Sequence, residues 1–282
     1  MAPSLLGVMT FVGIPFLEIC RRSFMDARGI QFKGIENYVQ VIGNTAFQRA
    51  CVNTFRFMAI CIPVIVLLSF ILAFLMFIHV KSEKKNVIKM GYLLPYALPV
   101  ASFVIVWKLL FDRNGMVNTV ITMGAELLQI EVEKIDWMQT RYAFWILCLC
   151  YIWRQVGFYM VLWIAGMESM DVSIFEAAKL DGVTRVQLAK DIIFPNLKST
   201  CRMILILALT GCFKCYREAY LVAGDYPHES MYMLQHVFNN WFASLDTQKM
   251  SAGAVMMVLL IAGSFAISMR EKEDGKREKT RG

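Results

Sequence analysis

Strongly apolar segments recur along the whole chain and are separated by polar connections. Two of them, Phe57–Ile78 and Met250–Met269, contain no charged residue. A helix needs about 20 apolar residues to cross the hydrocarbon core of a bilayer. The pattern therefore predicts an all-α polytopic membrane protein, a single domain over residues 1–282. Six spans are expected at about 3–20, 55–79, 91–112, 142–167, 199–222 and 250–269.

Composition supports the membrane class and removes several others. Of the 282 residues, 57% are hydrophobic and 18% are charged, against about 45–50% and about 25% in soluble domains. These values exclude a disordered chain and a small disulfide scaffold. The net charge is +7, but the basic residues cluster between apolar segments and at the C-terminus. Nucleic acid is therefore not expected as a partner.

The basic residues also predict an orientation. Connections 80–90 and 166–199 together with the basic tail 270–282 hold 14 Lys and Arg in 58 residues, whereas connections 21–50, 113–141 and 217–249 hold 10 in 92. The denser set is expected in the cytoplasm by the positive-inside rule, which places both termini there. The first segment lacks a basic n-region, so we expect a retained helix and not a signal peptide.

The sequence lacks the common motifs for phosphate binding, metal binding and catalysis. It has no phosphate-binding G-x-x-x-x-G-K-[ST] loop and no H-E-x-x-H pair. Cys212 and Cys215 have C-x-x-C spacing but lie in an apolar segment, and all eight cysteines are expected to be small buried hydrophobes. We therefore expect no enzyme activity, no metal site and no cofactor held by this chain.

The connection over residues 168–198, called the helix-pair loop below, carries dense local signals. Ser173 and Glu176 have capping-box spacing before a helix-forming stretch. Asp181-Gly182 is expected to end that helix, with Gly182 in the left-handed conformation. Thr184 and Gln187 form a second capping box, and Pro195 is expected to end the second helix. A rigid pair of helices is a natural surface for a partner.

The same residues resemble the EAA loop of binding-protein-dependent ABC importer permeases. The resemblance rests on Glu176-Ala177-Ala178, Asp181-Gly182, Ile192 and Phe194-Pro195. Other segments resemble the carbohydrate branch in the same order along the chain, with the first permease subunit of the maltose and glycerol-phosphate type as the nearest form. They are Ile14-Pro15, Phe32-x-Gly34-x-Glu36-Asn37-Tyr38, Leu93-Leu94-Pro95 and Gly157-Phe158.

The resemblance implies a function and a set of partners. It implies a multi-pass permease in a bacterial-type inner membrane that forms half of the translocation path for a sugar or related small solute. The partners would be two ABC ATPase subunits that use ATP and Mg²⁺, a second permease subunit and an extracytoplasmic solute-binding protein. The residues implied to couple to the ATPase are Glu176, Ala177, Ala178, Asp181, Gly182, Leu188, Ile192 and Pro195.

Polar residues inside the apolar segments are candidates for the translocation path, because the bilayer disfavours them elsewhere. Arg154 lies near the middle of the fourth segment. Two interpretations of it stay open: it lines the translocation path, or it forms an ion pair with another helix. Lys214 and Glu218 are one helical turn apart and are expected to pair. Four aromatic residues in the fourth segment are of the type that stacks on sugar rings, although such residues more often belong to a packed core. They are Tyr151, Trp153, Tyr159 and Trp163. The candidate path residues are Arg154, Gln155, Tyr159, Lys214 and Glu218.

Three alternatives remain at this point. A permease of another importer branch, for amino acids, polyamines or phosphorylated solutes, would share the EAA motif. An ion-coupled secondary transporter or channel would explain the apolar segments but not the helix-pair loop. A membrane scaffold that anchors an ATPase without transport would explain the loop. The stretch Arg217–Pro227 departs from the usual carbohydrate-branch pattern at Arg217 and Asp225, which bears on the solute.

Overall fold

The chain is helical throughout the part that the structure describes. The computed structural model describes residues 2–213, 215–223 and 227–279, with the backbone alone at 2, 82, 216, 217, 222, 223 and 264–279. In this part β pairing is limited to an isolated bridge between Met25 and Phe32. The all-α prediction is therefore confirmed. The α-helices are α1 (Ala2–Val8), α2 (Ile14–Arg22), α3 (Glu36–Gly43), α4 (Thr45–His79), α5 (Ser82–Ala97), α6 (Val100–Leu110), α7 (Met116–Leu127), α8 (Ala143–Glu168), α9 (Val172–Leu180), α10 (Arg185–Gln187), α11 (Phe194–Asn196), α12 (Lys198–Phe213), α13 (Tyr216–Ala223), α14 (Leu234–Ala243) and α15 (Thr247–Lys279).

The chain divides into two compact units. One comprises residues 1–50 and 236–282, and the other comprises residues 51–235. In the first unit, α2 and α3 both pack against α15. The second unit holds the large apolar core, which is built around α8.

Helix α8 is buried along most of its length because apolar residues occupy nearly all of its sides. Helices α5 and α12 pack against it. Two glycines permit the close approach. A Cβ atom on Gly157 would overlap the backbone carbonyl of Tyr92, and one on Gly166 would lie 2.8 Å from Thr200 Oγ1. These contacts place the polar residues of α8 directly against its neighbours.

Four helices in the described residues are long and apolar enough to cross a membrane. They are Pro3–Arg22, Thr45–His79, Ala143–Glu168 and Lys198–Leu221. These four coincide with the first, second, fourth and fifth predicted spans. The apolar part of α15 within the described residues, Thr247–Gly263, is shorter. The count of six spans stays a prediction.

The predicted span over residues 91–112 is not one continuous helix. Helix α5 begins at Ser82, and the chain bends by 85° between Glu83–Ala97 and Val100–Leu110. The bend lies at Leu98 and Pro99, both in extended backbone. Proline has no amide hydrogen and disfavours helical backbone in the residue before it. The bent pair provides a fifth candidate span if it counts as one crossing.

Candidate functional site

The first helix of the helix-pair loop is α9, and its N-terminal cap differs from the predicted one. Asp171 is the N-cap residue, and its carboxylate accepts a hydrogen bond from the Ser173 amide at 2.9 Å. This contact holds the pKa of Asp171 below its ordinary value. Ser173 lies inside the helix, so the predicted Ser173–Glu176 capping box is wrong. Asp is as good a cap as Ser, and here it stands one residue before the helix begins.

The turn after α9 matches the prediction. Gly182 has a φ of +68°. The Val183 amide donates to the Ala178 carbonyl at 3.1 Å, and the Gly182 amide donates to the Lys179 carbonyl at 3.3 Å. These two hydrogen bonds define a Schellman motif. A Cβ atom on Gly182 would meet no atom within 4 Å, so glycine is required here by the backbone conformation and not by crowding.

The second helix begins at the predicted capping box. The Thr184 side chain accepts from the Gln187 amide, and the Gln187 side chain accepts from the Thr184 amide at 3.0 Å. Helix α10 continues directly into a π-helical segment, Leu188–Ile193, and then into α11.

Pro195 does not end this helix where the sequence predicts. Its predecessor Phe194 donates its amide to the carbonyl of Ala189, five residues earlier. This wider π-turn lets the helix pass through Pro195, which lacks an amide hydrogen, and end at Asn196. π-Turns depend on packing, so no local sequence pattern predicts this one.

Aromatic contacts hold the helix-pair loop against the core. The rings of Phe175 and Phe77 lie 5.2 Å apart, and the ring of Phe194 lies 5.6 Å from that of Phe70. Arg185 Nη1 lies 2.7 Å from His79 Nε2. A cavity of about 900 Å³ lies between the loop and the ends of α4 and α8.

The predicted coupling residues divide by exposure. Ala178 is buried, Leu188 and Ile192 are half-buried, and the rest are exposed. Leu188 packs against the core. Two exposed apolar residues beside the turn were missed as coupling candidates: Leu180 is 89% exposed, and Val186 is 74% exposed. Their position next to the Asp181-Gly182 turn is the signal that sequence reasoning could have used. The exposed predicted residues are Glu176, Ala177, Asp181, Gly182 and Pro195.

A second group of polar residues lies within the apolar core. Arg154 Nη1 on α8 lies 3.2 Å from Glu218 Oε1 on α13, and both side chains are largely buried. The Arg154 guanidinium also lies over the rings of Tyr96 and Phe103, at 5.7 and 5.6 Å. The interpretation of Arg154 as an interhelical ion pair is confirmed. Glu218 therefore pairs with Arg154, whereas its predicted partner Lys214 lies outside the described residues.

Three more polar side chains converge beside this ion pair. Tyr151, Gln155 and Tyr159 are spaced four residues apart on one face of α8 and are buried. A Cβ atom on Gly211 of α12 would lie 2.8 Å from Tyr151 Oη, 3.4 Å from Tyr159 Oη and 4.0 Å from Gln155 Nε2. Sequence reasoning selected Gln155 and Tyr159 and treated Tyr151 as core, although the same spacing links it to them.

This group, called the α8 polar cluster below, has unused hydrogen-bonding capacity. Within the described part of the chain, Tyr151 Oη and Gln155 Oε1 are buried without a hydrogen-bond partner. Buried polar groups are normally satisfied, because an unmet donor or acceptor is costly in apolar surroundings. Tyr151 and Gln155 therefore keep unmet hydrogen-bonding capacity inside the apolar core.

The remaining aromatic and cysteine candidates belong to the core only in part, and the prediction that all eight cysteines are buried is wrong for three of them. Trp163 is fully buried and donates from Nε1 to Ser69 Oγ at 3.1 Å, whereas Trp153 is 42% exposed. Five cysteines are buried, and Cys20, Cys51 and Cys201 are half-buried. Among the described residues, no group of three or more His, Cys, Asp and Glu side chains is placed to hold a metal ion.

Fold and site together define an all-helical membrane protein with a capped helix pair between two of its long apolar helices and a polar cluster inside the bundle. A family model described as "Binding-protein-dependent transport system inner membrane component" matches residues 42–270. The chain belongs to this family.

Curated relatives align with nearly the whole chain. A probable starch degradation products transport system permease protein of Thermoanaerobacterium thermosulfurigenes is 26% identical over 272 residues, covering 93% of this chain and 88% of the relative. A sulfoquinovosyl glycerol transport system permease protein of Agrobacterium fabrum is 25% identical over 279 residues, covering 96% and 88%. These relatives are transport permeases and not enzymes.

A solved structure shares the fold. A chain of a bacterial ABC transporter involved in the import of the acidic polysaccharide alginate superposes with a TM-score of 0.79 at 17% identity. The match covers 96% of this chain and 93% of the solved one. A second structure of an alginate ABC transporter, in complex with an alginate pentasaccharide-bound periplasmic protein, gives a TM-score of 0.78.

Proposed function

We propose that this chain is a permease subunit of an ATP-driven importer and forms half of the translocation path for a carbohydrate or related small solute. The observation that carries the proposal is the family match over residues 42–270 together with the capped helix pair inside that range. The relatives named for sugars and sugar derivatives support the solute class.

The proposed topology is one permease domain with six spans and both termini in the cytoplasm. It places the helix-pair loop at the cytoplasmic surface, as the basic residues predict. The alginate transporter solved with a solute-bound periplasmic protein supports delivery of solute from the opposite side.

The proposed coupling works through the rigidity of the helix-pair loop. Both helices are capped, the turn between them is a Schellman motif, and aromatic contacts tie both to the core. An ATPase subunit that binds the exposed surface of Glu176, Ala177, Leu180 and Val186 would move the loop and the attached helices as one body. The second permease chain would receive the second ATPase subunit.

The α8 polar cluster is the proposed solute contact. Tyr151, Gln155 and Tyr159 offer hydroxyl and amide groups that match the donors and acceptors of a sugar. Among the described side chains of the site, the positive charge of Arg154 is paired with Glu218. This pairing favours a neutral, hydroxyl-rich solute over a phosphorylated or otherwise anionic one.

The coupling proposal predicts the effect of Gly182→Asp. The substitution adds a negative charge beside Asp181 at a helix C-terminus, where the helix dipole disfavours it. We expect normal amounts of the chain in the membrane, reduced recovery of ATPase in a detergent pull-down, and loss of most ATP-dependent uptake.

Gly182→Asn is the matched control, because asparagine tolerates positive φ and adds no charge. It should retain most uptake and most ATPase recovery. Wild-type uptake by Gly182→Asp would contradict the coupling role. Recovery of the wild-type chain without ATPase, or uptake without ATP, would instead support an ion-coupled transporter.

The path proposal predicts the effects of Tyr159→Phe and Arg154→Ala. Tyr159→Phe removes one hydroxyl and should raise the solute concentration for half-maximal uptake severalfold, about 1 kcal/mol for one hydrogen bond. Arg154→Ala leaves the Glu218 carboxylate without this partner and should lower both uptake and the amount of folded protein. The double variant Arg154→Met/Glu218→Gln removes both charges together, and so separates the role of Arg154 in the path from its role in the ion pair. Unchanged uptake kinetics in Arg154→Ala would remove it from the path.

A further inference from the structure

Helix α3 is fixed to the end of the first apolar helix by buried polar contacts. Asn37 Nδ2 donates to the carbonyls of Ser23 and Met25 at 2.9 and 2.8 Å. The hydroxyls of Ser23 and Tyr38 lie 2.7 Å apart. These contacts set the height of α3 at the level where the apolar helix Pro3–Arg22 ends.

Charged residues mark that level as the edge of the apolar zone. Glu18 binds both Arg21 and Arg22, each at 2.8 Å, in the last turn of α2. The same helix end carries no other acidic or basic residue. The residues that follow therefore leave the hydrocarbon at this point.

Three different surfaces run along α3. Because a helix turns once every 3.6 residues, positions 37 and 41 share one side, and both are buried. Positions 36 and 40 share a second side, where Gln40 Nε2 donates to Glu36 Oε1 at 3.2 Å and Lys33 pairs with Glu36 at 3.6 Å.

The third side of α3 is apolar and exposed. Ile35, Val39 and Ile42 are 70%, 61% and 55% exposed. They follow the i, i+4, i+7 spacing of a single stripe. The hairpin before α3 adds Ile30 and Phe32, which are also exposed. This stripe lies opposite the buried side and beside the polar side.

A helix at the bilayer surface has one side toward water and one toward acyl chains, and α3 has both of these besides the side that it buries against protein. The apolar window of Pro3–Arg22 has no residue buried in the protein, so the helix to which α3 is fixed also exposes apolar side chains. We infer that α3 is an interfacial helix that rests Ile35, Val39 and Ile42 on the acyl chains of the membrane leaflet where the first span ends. The partner of this surface is the lipid bilayer.

Site-specific photocrosslinking in native membranes tests the inference. The photoreactive residue p-benzoylphenylalanine replaces Val39 in the full transporter, and after irradiation the peptides are analysed by mass spectrometry. The matched control replaces Gln40, one position away on the polar side. The positive control replaces Phe11, which is 81% exposed on the first apolar helix.

We expect phospholipid adducts at Val39 and at Phe11, and severalfold fewer at Gln40. The same replacement of Ile42 should repeat the result for Val39 and guards against a local folding defect. A crosslink from Val39 to a protein chain would overturn the inference and show a protein interface. No adduct at Val39, with adducts at Phe11, would overturn it by placing the stripe in water.

Discussion

At the scale of single residues, the close contacts around α8 depend on positions that have no side chain. Gly157 lies against the Tyr92 backbone and Gly166 against Thr200. In membranes, helices associate through van der Waals packing of this kind, because lipid tails are as apolar as the helices themselves. These glycines therefore determine how near α5 and α12 come to the polar residues of α8.

The substitution Gly157→Ala tests this packing. The new methyl group would overlap the carbonyl of Tyr92, and overpacking of this kind costs about 1–3 kcal/mol. We expect a lower melting temperature in detergent and less protein in the membrane. Gly91→Ala is the control on the facing helix, because its Cβ would meet no atom within 4 Å. A melting temperature for Gly157→Ala equal to that of the wild type would show that α5 does not lie this close.

At the scale of elements, the helix-pair loop shows how local hydrogen bonds define a rigid unit. Both ends of α9 are capped by neighbouring residues, the start by Asp171 and the end by the Gly182 turn. The second helix is closed by Thr184 and Gln187 and continues through the π-turn to Asn196. The unit keeps its shape because these bonds satisfy the backbone groups that helix ends leave open.

The Asp171 cap predicts a dependence on pH. Its pKa is lowered from an ordinary value of 3.8 by the Ser173 amide. The stabilisation is therefore complete above that ordinary value and is lost as the pH falls through the lower folded-state pKa. We expect hydrogen-exchange protection of residues 172–176 to stay constant at neutral pH and to fall only in strong acid.

Asp171→Asn is the control for this titration, because asparagine caps equally well and does not titrate. Its protection over residues 172–176 should show no matching loss in acid. If Asp171→Asn lost protection over the same pH range as the wild type, the Asp171 carboxylate would not be the responsible group.

At the scale of the whole molecule, polar contacts join distant parts of the chain within residues 51–235. Asn53 Nδ2 donates to the carbonyls of Glu229 and Tyr232 at 2.7 and 3.0 Å. Trp163 binds Ser69, and Arg154 binds Glu218. The Trp163–Ser69 and Arg154–Glu218 contacts give polar groups in the core a partner from another helix, and the half-buried Asn53 joins its helix to a distant turn.

Cysteine accessibility measures whether that arrangement is retained. In mild detergent we expect N-ethylmaleimide to add to at most three thiols, those of Cys20, Cys51 and Cys201, because the other five are buried. In SDS all eight should react. Mass spectrometry of the intact chain counts the adducts. More than three adducts in mild detergent would show a looser core.

Much of this protein could be predicted from short-range patterns, and some of it could not. The Thr184–Gln187 capping box and the positive φ of Gly182 depend on neighbours within a few residues, so both were predicted correctly. The cap at Asp171 was missed because Ser173 offers an equally good local pattern. The contact between Glu218 and Arg154 was not predicted, because the two residues are 64 positions apart in the sequence.

The amino-acid sequence by itself determined the all-α class, four of the long apolar helices, the family resemblance and the turn of the helix-pair loop. Each of these follows from continuous hydrophobicity or from hydrogen bonds between near neighbours. Only the tertiary structure decided the π-turn before Pro195, the Arg154–Glu218 ion pair and the convergence of Tyr151, Gln155 and Tyr159 on Gly211. These features depend on which helices pack together, because a buried polar group selects its partner from whatever the fold brings within reach.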